Sequence, residues 1–184
     1  MKTIGVIGGL GPQATLDILD RIHKVCQMRI PQSANSGYPP RYVGFCSDAP
    51  MALAADGSTL QPLQPSLALL KVAKDIGAIS DFLIIASNTP HLFQREIEEA
   101  SGRTVLSMVD VTMAEVQRRQ PKKVGVAAVG EALKQGLYQK PLEAAGIPHQ
   151  VILESMSREL DKSIFALMEG SDAAGLGEPA REAV

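Results

Sequence analysis

A cluster of polar side chains directly follows a short apolar run near the middle of the sequence. The run Phe82 to Ala86 gives way to SNTPH, residues Ser87 to His91. Hydroxyl and amide groups at the carboxyl end of a buried parallel strand lie where open α/β sheets bind ligands. Ser, Asn and Thr are also good helix caps, because their side chains accept hydrogen bonds from the first N–H groups of a helix. The pattern therefore fits a substrate site, a helix cap, or both.

A second candidate site follows the first predicted strand, in the segment GGLGPQA. Gly9, Gly11 and Ala14 satisfy the loose spacing of dinucleotide-binding turns, in which backbone N–H groups bind an anion at a helix N-terminus. Pro12 removes one of these donors. No acidic residue ends a strand about 20 residues later, as contact with a ribose requires. A small carboxylate or other anion, a dinucleotide and a plain tight turn all stay open.

Strands and helices alternate along the chain, which predicts an α/β fold with parallel sheets flanked by helices. Strands are predicted at residues 3–7, 41–46, 81–86, 104–108, 123–127 and 150–153, and helices at residues 13–28, 65–76, 92–100, 111–119, 133–145 and 157–169. In the first two helices, the apolar spacing predicts that Leu16 and Leu67 face inward. Because both polar segments follow strands, we expect them at one edge of the same sheet.

A short internal repeat suggests two similar lobes. IGVIGG, residues 4–9, aligns with VGVAAV, residues 124–129, at an offset of 120 residues. The prediction is a first α/β lobe over residues 1–114 and a second over residues 115–184. The last fourteen residues, SDAAGLGEPAREAV, contain no predicted strand. We therefore expect two pseudo-symmetric lobes, of which the second is truncated or shortened in this chain.

Composition and charge argue against several classes of function. The net charge of −2, an aromatic content of 4% and the absence of Trp argue against binding to nucleic acid. The apolar runs are too short to span a membrane, and the N-terminus leads directly into a predicted strand, so we expect a cytoplasmic protein. No zinc-type spacing is present, and neither a metal nor a cofactor is expected. Ser87 lacks the flanking residues of the common serine hydrolases.

The two cysteines and His91 have mainly structural interpretations. Cys26 and Cys46 fit a reducing compartment and form no disulfide framework. Cys26 belongs to a helix stripe, which favours a place in the core. Cys46 ends the second predicted strand, so a place near a ligand stays open for it.

Four segments, taken in order, resemble one known family. They are MKTIGVIGGLGPQAT, SNTPH, KKVGVAAVGEALKQGLYQKPLEAAGI and SRELDKSIFALMEG, and the resemblance covers nearly all of residues 1–170 with matching order and spacing. This pattern resembles the cofactor-independent aspartate/glutamate racemases. The resemblance implies an active site between two lobes, with one acid–base group, usually a cysteine, from each. One thiolate removes the α-proton of an amino acid, and the opposite thiol returns a proton on the other face.

The resemblance also assigns roles to residues of this sequence, and the sequence departs from the family at some of them. Ser87 takes the place of the first-lobe catalytic cysteine, although a serine hydroxyl is a far weaker acid than a thiol of pKa roughly 8.5. The second-lobe cysteine has no counterpart in the printed sequence. Val129 and Ala132 stand where the family usually has Thr or Ser. The implied substrate-binding residues are Gly9, Leu10, Gly11, Asn88, Thr89 and, by a loose alignment, Arg158.

The sequence thus predicts an isomerase: an amino-acid racemase of the aspartate/glutamate type that needs no pyridoxal phosphate. The expected partner is a small amino acid or dicarboxylate, and the resemblance implies a homodimer. The main alternative is a relative that binds a small carboxylate without racemising it. A related reaction, such as decarboxylation or cis–trans isomerisation, and nucleotide-dependent oxidoreduction also stay open.

Overall fold

The computed structural model describes residues 1–30 and 37–170 of the chain. The chain divides into two compact units, Met1–Met108 and Val109–Val184. The boundary predicted between residues 114 and 115 falls inside a helix that spans Met108–Arg119. The prediction that no strand follows residue 170 concerns residues 171–184, which lie outside the described residues.

A three-stranded parallel sheet forms the centre of the first unit. Strands β1 (Ile4–Gly8), β2 (Arg41–Phe45) and β3 (Phe82–Ile85) lie in the order β2-β1-β3. Because β1 lies between two strands and is covered on both faces, Val6 and Ile7 are fully buried. The parallel sheet predicted from the alternation of strands and helices is confirmed.

The fourth strand predicted in this unit, at residues 104–108, is reduced to a single bridge. Val105 pairs in parallel with Leu83, and the Leu106 N–H donates to the Leu83 carbonyl at 2.8 Å. Helix α4 (Met108–Arg119) begins two residues later. The extended segment therefore lies where the prediction put it, beside β3, but is too short to form a full strand.

Helices cover both faces of the first sheet. Helix α1 (Pro12–Arg29) follows β1, helix α2 (Leu67–Gly77) precedes β3, and a 3₁₀ helix (Thr89–Phe93) leads into helix α3 (Gln94–Ser101). Alternate residues of a strand point to opposite faces, so two core clusters result. One contains Val6, Ile84 and Ala86, with Ile18, Leu19 and Ile22 of α1 packed against them. The other contains Ile7, Leu83, Ile85, Leu69, Ala73, Phe93 and Ile97.

The second unit is built on a smaller parallel sheet. After α4 its elements are β4 (Val124–Val126), α5 (Gly130–Lys134), α6 (Gln139–Ala144), β5 (His149–Val151) and α7 (Glu154–Met168). Strands β4 and β5 pair in parallel, with Gly125 opposite Gln150. Met113, Val126 and Leu142 form its buried cluster.

The long helix predicted at residues 133–145 is instead two short helices, α5 and α6. Gly136 lies between them with φ at +70°, a left-handed conformation that interrupts a helix. Pro141 lies in the first turn of α6, where a missing N–H group is tolerated. The apolar spacing continues across this interruption, which is why the sequence pattern predicted one helix.

Candidate functional site

The two polar segments singled out in the sequence leave the same edge of the first sheet. Strands β1 and β3 are adjacent and parallel, with Ile7 opposite Ile85. The Ala86 N–H donates to the Ile7 carbonyl at 2.9 Å, so the pairing continues to the last residues before both turns. The glycine turn and the Ser87–Thr89 turn therefore begin side by side. This confirms the expectation that they share one sheet edge.

The glycine turn is held by its own hydrogen bonds. The Gly9 N–H donates to the Thr15 hydroxyl at 3.0 Å, and that hydroxyl donates to the Gly11 carbonyl at 3.2 Å. Thr15 is fully buried, although sequence analysis did not select it. Gly9, predicted as a substrate donor, thus uses its N–H inside the turn. Of the three glycine-turn residues predicted to bind substrate, Leu10 and Gly11 are the better donor candidates.

Glycine is required at position 9 for two reasons. Its φ is +84°, in the left-handed region that favours glycine. A side-chain Cβ there would also lie 2.6 Å from the Cys46 carbonyl oxygen. This close approach joins the ends of β1 and β2, since the Cys46 N–H donates to the Gly8 carbonyl at 2.9 Å. The turn is thereby fixed to the sheet edge.

The Ser87–Thr89 turn runs directly from β3 into the 3₁₀ helix. Ser87 and Thr89 are half-buried, and Asn88 is exposed. Asn88 is the residue that precedes the 3₁₀ helix, but its side chain makes no capping hydrogen bond. Helix capping by Asn88, one of the two interpretations of this segment, is therefore not what the structure shows.

His91 is buried beneath this turn and was not among the predicted site residues. Its side chain is 6% exposed. Ring nitrogen Nδ1 lies 2.8 Å from the Ser87 carbonyl oxygen and 3.2 Å from that of Asn88. The Met108 N–H donates to Nε2 at 3.1 Å. The structural role expected for His91 thus includes a direct contact with the Ser87 backbone.

The two cysteines are buried away from the end of β3. Cys26 is a buried residue of α1, and Cys46 is 1% exposed at the end of β2. The Cys46 thiol donates to the Asp48 carbonyl at 3.5 Å. Strand β1 separates β2 from β3, so Cys46 is not adjacent to Ser87 in the sheet. Both thiols have the surroundings of structural cysteines.

Arg158 lies in α7 of the second unit. Its side chain is largely exposed and donates to the Glu154 carboxylate one turn earlier, with Nη1 2.8 Å from the carboxylate oxygen. Exposed pairs of this kind hold their partners weakly. The Arg158 guanidinium is therefore able to exchange this partner for another carboxylate.

A cavity of about 180 Å³ lies in the second unit and contains none of the predicted site residues. Its walls include Thr112, Val116, Val124, Tyr138 and Leu142. Burial raises the pKa of Tyr138, and its hydrogen bond with Thr112 opposes that shift. Since no lining residue carries a charged group at neutral pH, the chemistry of this cavity does not suit a charged amino acid. We place the candidate site at the first sheet edge instead.

Two further features concern metal ligands and membrane-spanning helices. Within residues 1–30 and 37–170, no group of three or more His, Cys, Asp or Glu side chains is arranged to hold a metal ion. Over the same described part of the chain, none of the helices has both the length and the apolar character needed to cross a membrane.

Comparison with known proteins identifies relatives. The chain is 28% identical over 149 residues to the broad-specificity amino-acid racemase RacX of Bacillus subtilis. That match covers 78% of this chain but 61% of RacX, so the chain spans less than two thirds of that curated relative.

Solved structures share the fold. The aspartate racemase of Picrophilus torridus superposes with a TM-score of 0.75 at 18% identity, covering 100% of this chain and 74% of that one. An aspartate racemase homologue from Pyrococcus horikoshii gives 0.63 at 21% identity, covering 93% and 74%.

The family model for Asp/Glu/Hydantoin racemases matches residues 7–184, nearly the whole chain. The match includes the glycine turn after β1 and the Ser87–Thr89 turn after β3 that share one sheet edge. The chain therefore belongs to the Asp/Glu/Hydantoin racemase family.

Proposed function

We propose that this protein acts as a cofactor-independent amino-acid racemase of the aspartate/glutamate type. The observation that carries the proposal is the family match over residues 7–184. The similarity to a broad-specificity amino-acid racemase supports it. The reaction breaks the Cα–H bond, leaves the electron pair on the α-carbon, and returns a proton to the opposite face. Two acid–base groups on opposite faces are needed, and we assign one to each lobe.

In this proposal Ser87 stands at the position of the first acid–base group. It follows β3 at the carboxyl edge of a parallel sheet, where such folds bind ligands. Thr89 and Asn88 offer side-chain donors for the substrate carboxylate, together with backbone N–H groups of Leu10 and Gly11. On the loose family alignment, we also propose Arg158 for the side-chain carboxylate of an acidic substrate; its guanidinium is exposed and pairs with Glu154 of its own helix.

A second candidate function is favoured by Ser87 itself. Removing an α-proton near neutral pH requires a base, and a thiolate forms far more readily than an alkoxide. Beside Ser87 the structure provides His91, but both of its ring nitrogens contact backbone groups. A protein that binds a small carboxylate at this sheet edge without racemising it would need no base at position 87.

Isotope exchange distinguishes these two functions. Each enantiomer of aspartate and glutamate is incubated with the protein in D₂O, and the α-proton signal and the optical rotation are followed together. Exchange of the α-proton needs one base, whereas inversion needs a donor on the opposite face as well. Racemase activity predicts both signals. Substrate binding by calorimetry with neither exchange nor inversion would favour the binding function.

Ser87→Cys and Ser87→Ala complete this test. If position 87 transfers a proton, the thiol should raise exchange well above that of the parent, because a thiolate is accessible near neutral pH. Ser87→Ala should abolish whatever exchange depends on the hydroxyl. If Ser87→Cys is inert while Ser87→Ala equals the parent on all four substrates, position 87 takes no part in catalysis and the assignment of Ser87 as the first acid–base group fails.

A further inference from the structure

We propose that His91 is a positioning residue for the Ser87–Thr89 turn. Its ring holds the backbone of this turn in one orientation and connects it to the first residue of α4. The effect of this role on substrate binding rests on the proposed function, whereas the contacts of His91 do not depend on it.

The contacts define which ring nitrogen carries the proton. A backbone N–H group can only donate, so the Nε2 atom that receives the Met108 N–H at 3.1 Å must be an acceptor. The neutral ring then carries its hydrogen on Nδ1. That hydrogen is directed at the Ser87 carbonyl oxygen, 2.8 Å away, with the Asn88 carbonyl oxygen at 3.2 Å. The structure thus requires the Nδ1–H tautomer.

Fixing these carbonyls also fixes the N–H groups that follow them. In a trans peptide, the carbonyl and the next N–H lie in one plane and point in opposite directions. Holding the Ser87 carbonyl towards the ring therefore directs the Asn88 N–H away from it. The Asn88 carbonyl also accepts the backbone N–H of His91 at 3.0 Å, so the ring and the 3₁₀ helix together direct the Thr89 N–H. Through its ring and its backbone, His91 thereby sets the direction of two backbone donors in the turn proposed to bind the substrate carboxylate.

The same contacts argue against a role for His91 as the proton-transfer group. The ring is 6% exposed, and each of its nitrogens contacts a backbone group. A general base needs an acceptor nitrogen that reaches the substrate. The only acceptor nitrogen of the Nδ1–H tautomer is directed at Met108. His91 therefore acts through the turn and not on the substrate itself.

Two substitutions separate the two ends of the ring. In His91→Asn, the short amide places an N–H donor near the position of Nδ1 and leaves nothing at that of Nε2. In His91→Gln, the longer amide places an oxygen near the position of Nε2 and removes the donor to Ser87. The Asn variant should keep the Ser87 contact, and the Gln variant should keep the Met108 contact.

The measurements use the full chain. Nitrogen-15 spectra of the parent imidazole report the tautomer, the carbonyl carbon-13 shift of Ser87 reports the first contact, and amide exchange of Met108 reports the second. Calorimetry with succinate, a dicarboxylate without an amino group, reports ligand binding. We expect the Nδ1–H tautomer, a Ser87 shift that changes in His91→Gln alone, and succinate binding weakened by about tenfold in His91→Gln but little in His91→Asn. Thermal unfolding of both variants controls for a general loss of stability.

Three results would overturn the proposal. An Nε2–H tautomer in the parent contradicts the assigned contacts directly and needs no variant. Equal Ser87 shifts in the two variants would show that the ring does not hold that carbonyl. Affinity losses that simply follow the loss of stability would reduce His91 to a packing residue. If the parent binds no succinate and exchanges no α-proton, the proposed function fails, while the tautomer and the Ser87 shift still decide whether His91 holds the turn.

Discussion

At the scale of single residues, position 87 combines a suitable location with a weak acid–base group. Ser87 follows strand β3 of the β2-β1-β3 sheet, beside the glycine turn, and its carbonyl is held by His91. The location is defined by backbone contacts that are independent of the side chain at this position. A thiol in place of the hydroxyl would therefore be presented by the same backbone. This is why substitutions at position 87 test chemistry more than folding.

Replacing both Asn88 and Thr89 by Ala should weaken the binding of dicarboxylates at the sheet edge. Each hydrogen bond to a charged group contributes roughly 1.5–3 kcal/mol, so a loss of up to a few kcal/mol in binding free energy is expected. Calorimetry with succinate and aspartate measures it. Thr104→Ala is a matched control, because Thr104 is exposed and lies outside both turns. Unchanged affinity in the double variant would place the ligand elsewhere.

At the scale of elements, the glycine turn makes a sharper prediction about stability. Gly9→Ala forces a Cβ into a left-handed backbone and to within 2.6 Å of the Cys46 carbonyl oxygen. We expect the free energy of unfolding to fall by roughly 1–3 kcal/mol. Gly57→Ala is the matched control, since Gly57 has φ at +81° but no heavy atom within 4 Å of its Cβ position.

Urea unfolding of both variants separates the two causes. In Gly57→Ala, the loss of unfolding free energy comes only from the strained backbone conformation. The additional loss in Gly9→Ala measures the steric cost of the close approach of β1 to β2. Equal losses would mean that the turn relaxes and does not need contact with Cys46.

Helix α4 contains an acid-sensitive ion-pair cluster. The Glu115 carboxylate lies 2.7 Å from Arg118 Nε and 2.6 Å from Arg119 Nε. Hydrogen bonds from Arg118 and then from Arg119 lower the pKa of Glu115 from its usual 4.5 to about 2. Since the pKa of Glu115 in the folded state lies below that of the unfolded chain, the stabilisation of the fold by these ion pairs is complete above pH 4.5. It is lost as the pH falls towards 2.

Glu115→Gln should therefore lower stability slightly at pH 6 and not at pH about 2. The effect is small, because the group is exposed and water screens the pair. Urea unfolding of parent and variant across this pH range measures the difference. Repeating the series in 1 M salt should shrink it. A difference that is independent of pH would show that the carboxylate charge is not its cause.

The elements also show what the sequence could predict and where it could not. Strand–helix alternation predicted the parallel sheet, because burial on both faces leaves a continuous apolar run. The apolar spacing of the helices was a poorer guide, and the inward positions it predicted for Leu16 and Leu67 are wrong, since these residues are 63% and 85% exposed. In α1 the buried stripe begins with Thr15, whose hydroxyl closes the glycine turn. In α2, Leu67 is the first helical residue, and Leu69 is buried in its place.

At the scale of the whole molecule, the family could be predicted from the sequence, but the contacts of His91 that hold the candidate site could not. SNTPH and the glycine turn are local patterns, so they could be recognised without coordinates. The contact between His91 and Met108 joins residues 17 apart, across a helix and a strand bridge. No spacing rule predicts such a contact, because it depends on how α4 begins after the bridge of Val105. Polar residues buried next to a predicted turn are the signal that would have drawn attention to it.

The whole chain also makes a prediction about its thiols. It contains two cysteines, Cys26 at 8% and Cys46 at 1% exposure, both in structural surroundings. The folded parent should therefore react slowly with a thiol reagent such as iodoacetamide, and both thiols should react quickly in urea. Ser87→Cys should add one thiol that reacts in the folded protein, because position 87 is only half-buried. Mass spectrometry counts the modified residues.

Substrate makes this thiol measurement a test of the site. If the thiol introduced at position 87 lies in a carboxylate-binding turn, aspartate or succinate should slow its alkylation, and alkylation should abolish α-proton exchange. The slow reactions of Cys26 and Cys46 serve as internal references, since no ligand at the edge of β1 and β3 should affect them. A folded parent with two fast thiols would contradict the burial of both cysteines. If the thiol at position 87 is alkylated equally fast with and without ligand, Ser87 does not lie in the substrate site.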